Sequence, residues 1–318
     1  MDHIISQSSS IFVTLILLMI FKDTSAATFT LINKCGYTVW PGILSNAGSS
    51  PLDSTGFELP SGGTRPFQAP PNWSGRLWGR TGCSFDPNTG QGSCATADCG
   101  SNQVQCNGAG ANPPATLAEF TIASGNLDFY DVSLVDGYNL PMVVDASGGS
   151  GNCLSTGCVT DLNQHCPSEL RVGDRLACKS ACEAFGKPEY CCNGEYGSPA
   201  ACKPTVYSEI FKAACPKSYS YAYDDPTSTF TCSGADYTIT FCPSSTSQKS
   251  ARDTSQPTTT TNGSSSSTTG TGDFPLDTSS WLPNFITGDS TKTSSSDALR
   301  ATLTFSVTFF LLRSLFYL

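Results

Sequence analysis

Sixteen cysteines carry most of the chemistry open to this chain, and all of them lie between Cys35 and Cys242. A thiol can act as a nucleophile, ligate a metal or form half of a bridge, and the surrounding residues choose between these. The same stretch holds one histidine, His165, between Gln164 and Cys166. A Cys-His or Ser-His-Asp relay would have to pass through it, and its place in a cysteine-dense loop makes it a surface residue instead. No CxxC pair is followed by a second at zinc spacing, and neither an HExxH helix nor a phosphate-binding loop is present. The vicinal Cys191-Cys192 reads as two bridges pulling in different directions. An even count with no metal partners therefore predicts full pairing: eight bridges, no free thiol, no metal and no cofactor.

Bridges of this density require export, and the N-terminus supplies the means. Residues 11–21 (IFVTLILLMIF) form an apolar run of leader length, and Thr24-Ser25-Ala26 fits a small-x-small cleavage site. Residues 1–26 are thus expected to be a signal peptide, with the mature chain starting at Ala27. Between 27 and 243, 11 Lys and Arg stand against 19 Asp and Glu, a net charge of −8. That argues against nucleic acid and anionic lipid as partners and leaves neutral sugars or cationic surfaces.

The elements that must position the chemistry are short strands punctuated by Gly, Pro, Asn and Ser. They are read at 27–33, 37–40, 76–81, 117–122, 127–132, 141–144 and 237–241. Phe29 and Leu31, then Tyr237, Ile239 and Phe241, alternate with polar residues as half-buried strands do. This predicts a mainly β sandwich or barrel. Helical signals occur at 177–185, which would set Cys178 and Cys182 on one helix face, and at 208–214, opening with Ser208. Both fall within 153–215, which holds nine of the sixteen cysteines and reads as a separate disulfide-stapled lobe.

After Pro243 the composition changes. Residues 244–296 are expected to be a Ser/Thr-rich stalk, too poor in apolar residues to fold. Residues 297–318 end in an apolar run with the layout of a glycosylphosphatidylinositol attachment signal, the attachment residue being Ser294 or Ser296. Asn72-Trp73-Ser74 and Asn262-Gly263-Ser264 are N-glycosylation acceptors.

GQGSCATADCGSNQVQC (90–106) closely resembles the thaumatin signature, with Asn102 where that family usually has a second glycine. Asn tolerates a left-handed backbone, so the turn is expected to persist. ATFTLINKCGYTVWPG (27–42), WGRTGCSFD (78–86), PPATLAEF (113–120), DVSLVDGYNLPM (131–142), YAYDDPTSTFTC (221–232) and YTITFCP (237–243) extend the resemblance over 27–243. It implies a flattened antiparallel β-sandwich, a disulfide-rich lobe with short helices, a small third lobe, and an acidic cleft between the first two. It also implies the pairing Cys35–Cys242, Cys83–Cys94, Cys99–Cys106, Cys153–Cys232, Cys158–Cys215, Cys166–Cys178, Cys182–Cys191 and Cys192–Cys202.

Members of the thaumatin family often line that cleft with one Arg, one Glu and three Asp. The matching residues are Arg80, Glu119, Asp131, Asp136 and an Asp of YAYDD, with Asp224 preferred to Asp225. Two carboxyl groups held across a cleft can cleave a glycosidic bond, one donating a proton while the other activates water or attacks. Glu119 as acid and Asp136 as base is the assignment if the protein is an endo-β-1,3-glucanase. The alternative weighted above it is a non-enzymatic cleft that binds β-1,3-glucan or another wall polysaccharide in a cell-surface defence protein. A third reading is a surface module that binds a protein partner. Tyr130 and Tyr138 are close enough to the cleft motifs to stack on sugars, though singly they read as core. The chain is expected to act as a monomer, tethered to the membrane only by its lipid anchor.

Overall fold

A computed structural model describes residues 27–123 and 125–244. The leader, stalk, tail, Asn262 and the attachment serines lie outside the described residues. Within them, fourteen strands occur in order: β1 Ala27–Asn33, β2 Trp40–Ser45, β3 Thr64–Ala69, β4 Ser74–Arg80, β5 Ser84–Phe85, β6 Gly92–Ser93 and β7 Leu117–Thr121. They continue with β8 Asp128–Ser133, β9 Met142–Ser147, β10 Thr156–Cys158, β11 Arg171–Val172, β12 Ala177–Cys178, β13 Phe230–Cys232 and β14 Asp236–Phe241. Two five-stranded sheets, ordered β10-β9-β14-β1-β3 and β13-β8-β7-β4-β2, make the sandwich. Its pairings are antiparallel except one: β1 runs parallel to β14. The strand expected at 37–40 starts only at Trp40.

Alternation produces the core. Along β1 every second residue is buried, because successive side chains point to opposite faces of a sheet. Phe29, Leu31, Tyr237, Ile239 and Phe241 from one sheet meet Leu77, Ala118, Phe120, Tyr130 and Val132 from the other. Phe29 and Phe120 pack edge to face at 4.6 Å between centroids, a favoured aromatic geometry. Tyr130 and Tyr138 are both fully buried, so neither offers a face to a sugar.

The outer face of the second sheet is covered at one end. Trp78 and Leu117 pack there beneath Ala97, Cys99, Cys106 and Ala115. The eight bridges are those the resemblance implies, and no described cysteine is free. Asn102 takes the left-handed backbone at φ 57°.

The lobe is less separate than its cysteines imply. Strand β10 belongs to the first sheet, and Leu134 and Tyr138 from the end of the sandwich share a cluster with Phe211, Leu162 and Leu170. Its first helix is also shorter than expected. Helix α1 spans Ala181–Phe185, capped by the Ser180 side chain on the Glu183 N–H and stopped by left-handed Gly186. Cys178 instead lies in β12, paired with Arg171 and bonded through its backbone to Tyr138. Cys178 and Cys182 therefore do not share a helix face. After α2 (Pro188–Cys191), helix α3 runs Val206–Ala214 with Thr205 as N-cap and Ser208 completing a capping box. Helix α4 is the single turn Asp225–Ser228.

Candidate functional site

The part of the second sheet left open carries the charge. Arg76 on β4 lies opposite Glu119 on β7, and Glu119 lies opposite Asp131 on β8. Direct cross-strand partners hold their Cβ atoms about 4.5–5.5 Å apart, so the three side chains form one row across the face. The row beneath, Leu77, Ala118 and Val132, points into the core. Period-two alternation thus converts a buried hydrophobic row on one side into a charged row on the other. All three charged residues are half-buried.

Two loops add to this row. The turn after β8 brings Asp136, whose charge is felt by Glu119 and by Glu183 of α1. The segment between α3 and β13 brings Tyr219, joined to β8 by a bridge at Ser133, and Asp225, which accepts a 2.9 Å hydrogen bond from the Tyr219 hydroxyl. Thr229 shares that hydroxyl through a short hydrogen bond. Asp225 and Glu119 flank Asp131 electrostatically. The site lies where sheet and lobe meet, with four carboxylates, one arginine and a phenol gathered on it.

Burial raises the carboxyls Glu119, Asp131, Asp136 and, at the edge of the site, Glu183, and neighbouring carboxylates raise all but Asp136 further. Burial raises Glu119, Arg76 draws it back and Asp136 raises it further. Asp136 is raised by burial and lowered by Arg76. Asp131 is pushed well above the usual range by burial, then by Glu119 and Asp225. Glu183 is raised by burial, partly offset by its ion pair with Lys179 at 3.7 Å. The Arg76 Nε and the Asp131 Oδ2 are both buried without a hydrogen-bond partner. Such atoms are costly unless something completes them.

A family model described as the Thaumatin family matches residues 33–243. The chain belongs to the thaumatin family. "Thaumatin-like protein 1" of Arabidopsis thaliana is 71% identical over 228 residues, covering 70% of this chain and 88% of that protein. "Pathogenesis-related thaumatin-like protein 3.5" of Cryptomeria japonica is 59% identical over 237 residues, covering 73% and 97%. "PR5-like receptor kinase" of Arabidopsis thaliana is 52% identical over 232 residues, which is 70% of this chain and 35% of that one.

Of the five residues expected to line the thaumatin-family cleft, the structure brings Glu119, Asp131 and Asp136 together and places two elsewhere. Arg80 is fully buried. It donates to the carbonyls of Trp40 at 3.0 Å and Val104 at 2.6 Å, and Asp98 is its nearby charge. Burial lowers its pKa to about 10. The fit is tight enough that a Cβ on Gly56 would meet Val104 O at 2.2 Å and the Arg80 guanidinium at 2.7 Å. Arg80 therefore ties the covering loops to the sandwich, and Arg76 is the arginine that lies in the row with Glu119 and Asp131. Asp224 is likewise structural. It accepts from Lys212 Nζ, the Ser220 N–H and the Ser220 hydroxyl, each at 2.9 Å. Lys212 also donates to Ser218 O and the Ser228 hydroxyl, so the pair clamps the segment that presents Tyr219 and Asp225.

The sequence did not single out Arg76 as the neighbour of Glu119, because Arg76, Trp78 and Arg80 share one strand face. The signal that separates them is register: Glu119 comes two residues after Leu117, which faces Trp78. Asn72 is exposed in the turn before β4, with buried Trp73 behind it. Among the described residues no metal-binding group occurs, and no helix is long and apolar enough to cross a membrane.

Proposed function

We propose that this protein is a cell-surface defence protein that binds β-1,3-glucan or a related wall polysaccharide through the face bearing Arg76, Glu119, Asp131, Asp136 and Asp225. The observation that carries this reading is the cross-strand row Arg76–Glu119–Asp131, half-buried at the junction of sheet and lobe. Carboxylates and a guanidinium at fixed spacing recognise vicinal hydroxyls through several hydrogen bonds at once, which suits a neutral polyol. The net negative charge disfavours polyanions. The name of the Cryptomeria relative, pathogenesis-related, supports the defence setting.

Hydrolysis is the second reading, because the same cluster contains a carboxyl raised well above the ordinary aspartate range and perturbed carboxyls are what acid catalysis needs. Co-sedimentation with insoluble β-1,3-glucan, run beside a reducing-sugar assay, separates the two. Binding without sugar release supports the first. Release that is abolished by both Glu119→Gln and Asp136→Asn supports the second, since positioned acid–base groups contribute about 10²–10⁴-fold. No binding to any β-glucan leaves the protein-partner reading, to which the receptor-kinase relative lends a precedent for a surface-displayed domain.

Export through residues 1–26 and attachment at Ser294 or Ser296 complete the proposal for location. Phospholipase C specific for phosphatidylinositol should release the protein from membranes, and recovery of a peptide covering 303–318 from mature protein would overturn the anchor.

A further inference from the structure

The charges along the row are not equivalent. Arg76 stands beside Glu119 and within reach of Asp136, and it draws both toward the ionised form. Asp131 is one strand farther away. The titratable groups acting on it are Glu119 on β7, Asp225 on the loop before β13, and Tyr219, whose hydroxyl is already committed to Asp225 and Thr229. The remaining cations nearby are taken: Lys212 is held by Asp224 and Lys179 by Glu183. Asp131 is thus a carboxyl flanked by carboxylates, with no cation of its own among the described residues. One of its oxygens is also buried with nothing to bond.

Like charges this close do not all ionise, and the proton settles on the member with the least support. We infer that Asp131 is the proton-bearing residue of the site: a neutral acid whose hydroxyl is donated to a ring or glycosidic oxygen of the bound sugar, while Glu119 and Asp136 accept hydrogen bonds from sugar hydroxyls. This differs from the expectation that Glu119 is the acid. It rests on the reading of this face as a sugar site for its ligand, but not for the placement of the proton. A ring or glycosidic oxygen bears no hydrogen, so a carboxylate at position 131 would meet it lone pair to lone pair. Its ionisation should therefore expel the ligand, and binding should weaken about tenfold for each pH unit above that point.

The test uses the full chain, exported and bridged, with ¹³C-labelled Asp and Glu carboxyls followed by NMR as pH is raised. Asp131→Asn assigns the signal. The expected result is that Asp131 is the last of Glu119, Asp131 and Asp136 to ionise. If it ionises before either of the others, or in the ordinary aspartate range, the inference is overturned. Asp225→Asn is a second probe that leaves Asp131 in place. It removes one flanking charge and should move the Asp131 transition to lower pH, and an unmoved transition also overturns the inference. Laminarin, a soluble β-1,3-glucan, reads the consequence. The native chain should bind it more weakly at pH 8 than at pH 5, and Asp131→Asn, which cannot ionise at that position, should lose that weakening; a native chain that binds laminarin as well at pH 8 as at pH 5 overturns the donated hydrogen bond. A native chain that never binds laminarin removes the glucan reading, and the carboxyl titration still decides where the proton sits.

Discussion

The sandwich and the lobe are held together by different means. The sandwich core joins the inner faces of two sheets through Phe29, Trp73, Phe120, Tyr130, Tyr237 and Phe241, all essentially without exposure. The lobe cluster is smaller, and four of its nine buried members are cysteines: Cys158, Cys166, Cys178 and Cys215. Its helices are short, and α1 and α2 bury no residue fully. Where too little apolar surface exists to offset chain entropy, covalent links do so by restricting the unfolded state. The site straddles the boundary, with its charged row on the sandwich and the clamp that presents Tyr219 and Asp225 anchored to α3 of the lobe.

This contrast can be broken most directly in the core. Phe120→Ala should cost about 3–5 kcal/mol in urea unfolding, since it empties the centre of an aromatic cluster. A loss no larger than that of a surface change would mean the sandwich does not depend on burial. Replacing Cys158 and Cys215 together by Ser should cost about 2–5 kcal/mol. Hydrogen exchange should then show α3 amides losing protection while β7 and β8 keep theirs, and uniform loss would show that the two regions unfold as one.

The junction has its own signature in pH. Glu119, Asp131, Asp136 and Glu183 all have folded pKa values above their unfolded ones. The stability tied to them is fully present below about pH 4 and is lost as pH rises through the folded values. A carboxyl that binds its proton tenfold more tightly in the folded chain forfeits about 1.4 kcal/mol in this way. Melting temperature should therefore fall between pH 4 and pH 8, and Asp131→Asn should flatten that fall. Asp86 and Glu169, whose pKa values are lowered at the surface, act the opposite way at lower pH. Smallest is Thr205→Ala, which removes the α3 cap and should cost about 1 kcal/mol, confined to the lobe. A larger cost would show that α3 positions more than itself.

The strands were legible where one face is buried and the other wet: β1 and β14 follow their alternating residues almost to the ends. The helix read from ACKSACEAF failed at its start, since Ala177 and Cys178 pair with Val172 and Arg171, contacts that local propensity does not contain. Glu119, Asp131 and Asp136 were each named from a motif, and the structure brings them near one another. That Arg76 and not Arg80 lies beside Glu119, and that Asp225 and not Asp224 faces Asp131, was not legible. Each pair offers two like residues on neighbouring segments, and only register or a distant partner such as Lys212 decides between them.

The parallel pairing of β1 with β14 sets an order of assembly. Strand β14 sits in the middle of its sheet, between β9 and β1, so until it arrives that sheet consists of two unjoined halves. The ribosome makes β1 first among the described strands and β14 last. At about 5–20 residues per second, roughly ten to forty seconds separate them. Through that interval Phe29 lacks Tyr237 and Leu31 lacks its β14 neighbour Ile239, and Cys35 waits with its thiol free beside newly made cysteines that are not its partner. Correct folding is therefore a matter of delay: the nascent chain has to be kept from closing wrong bridges until its last described strand has been made.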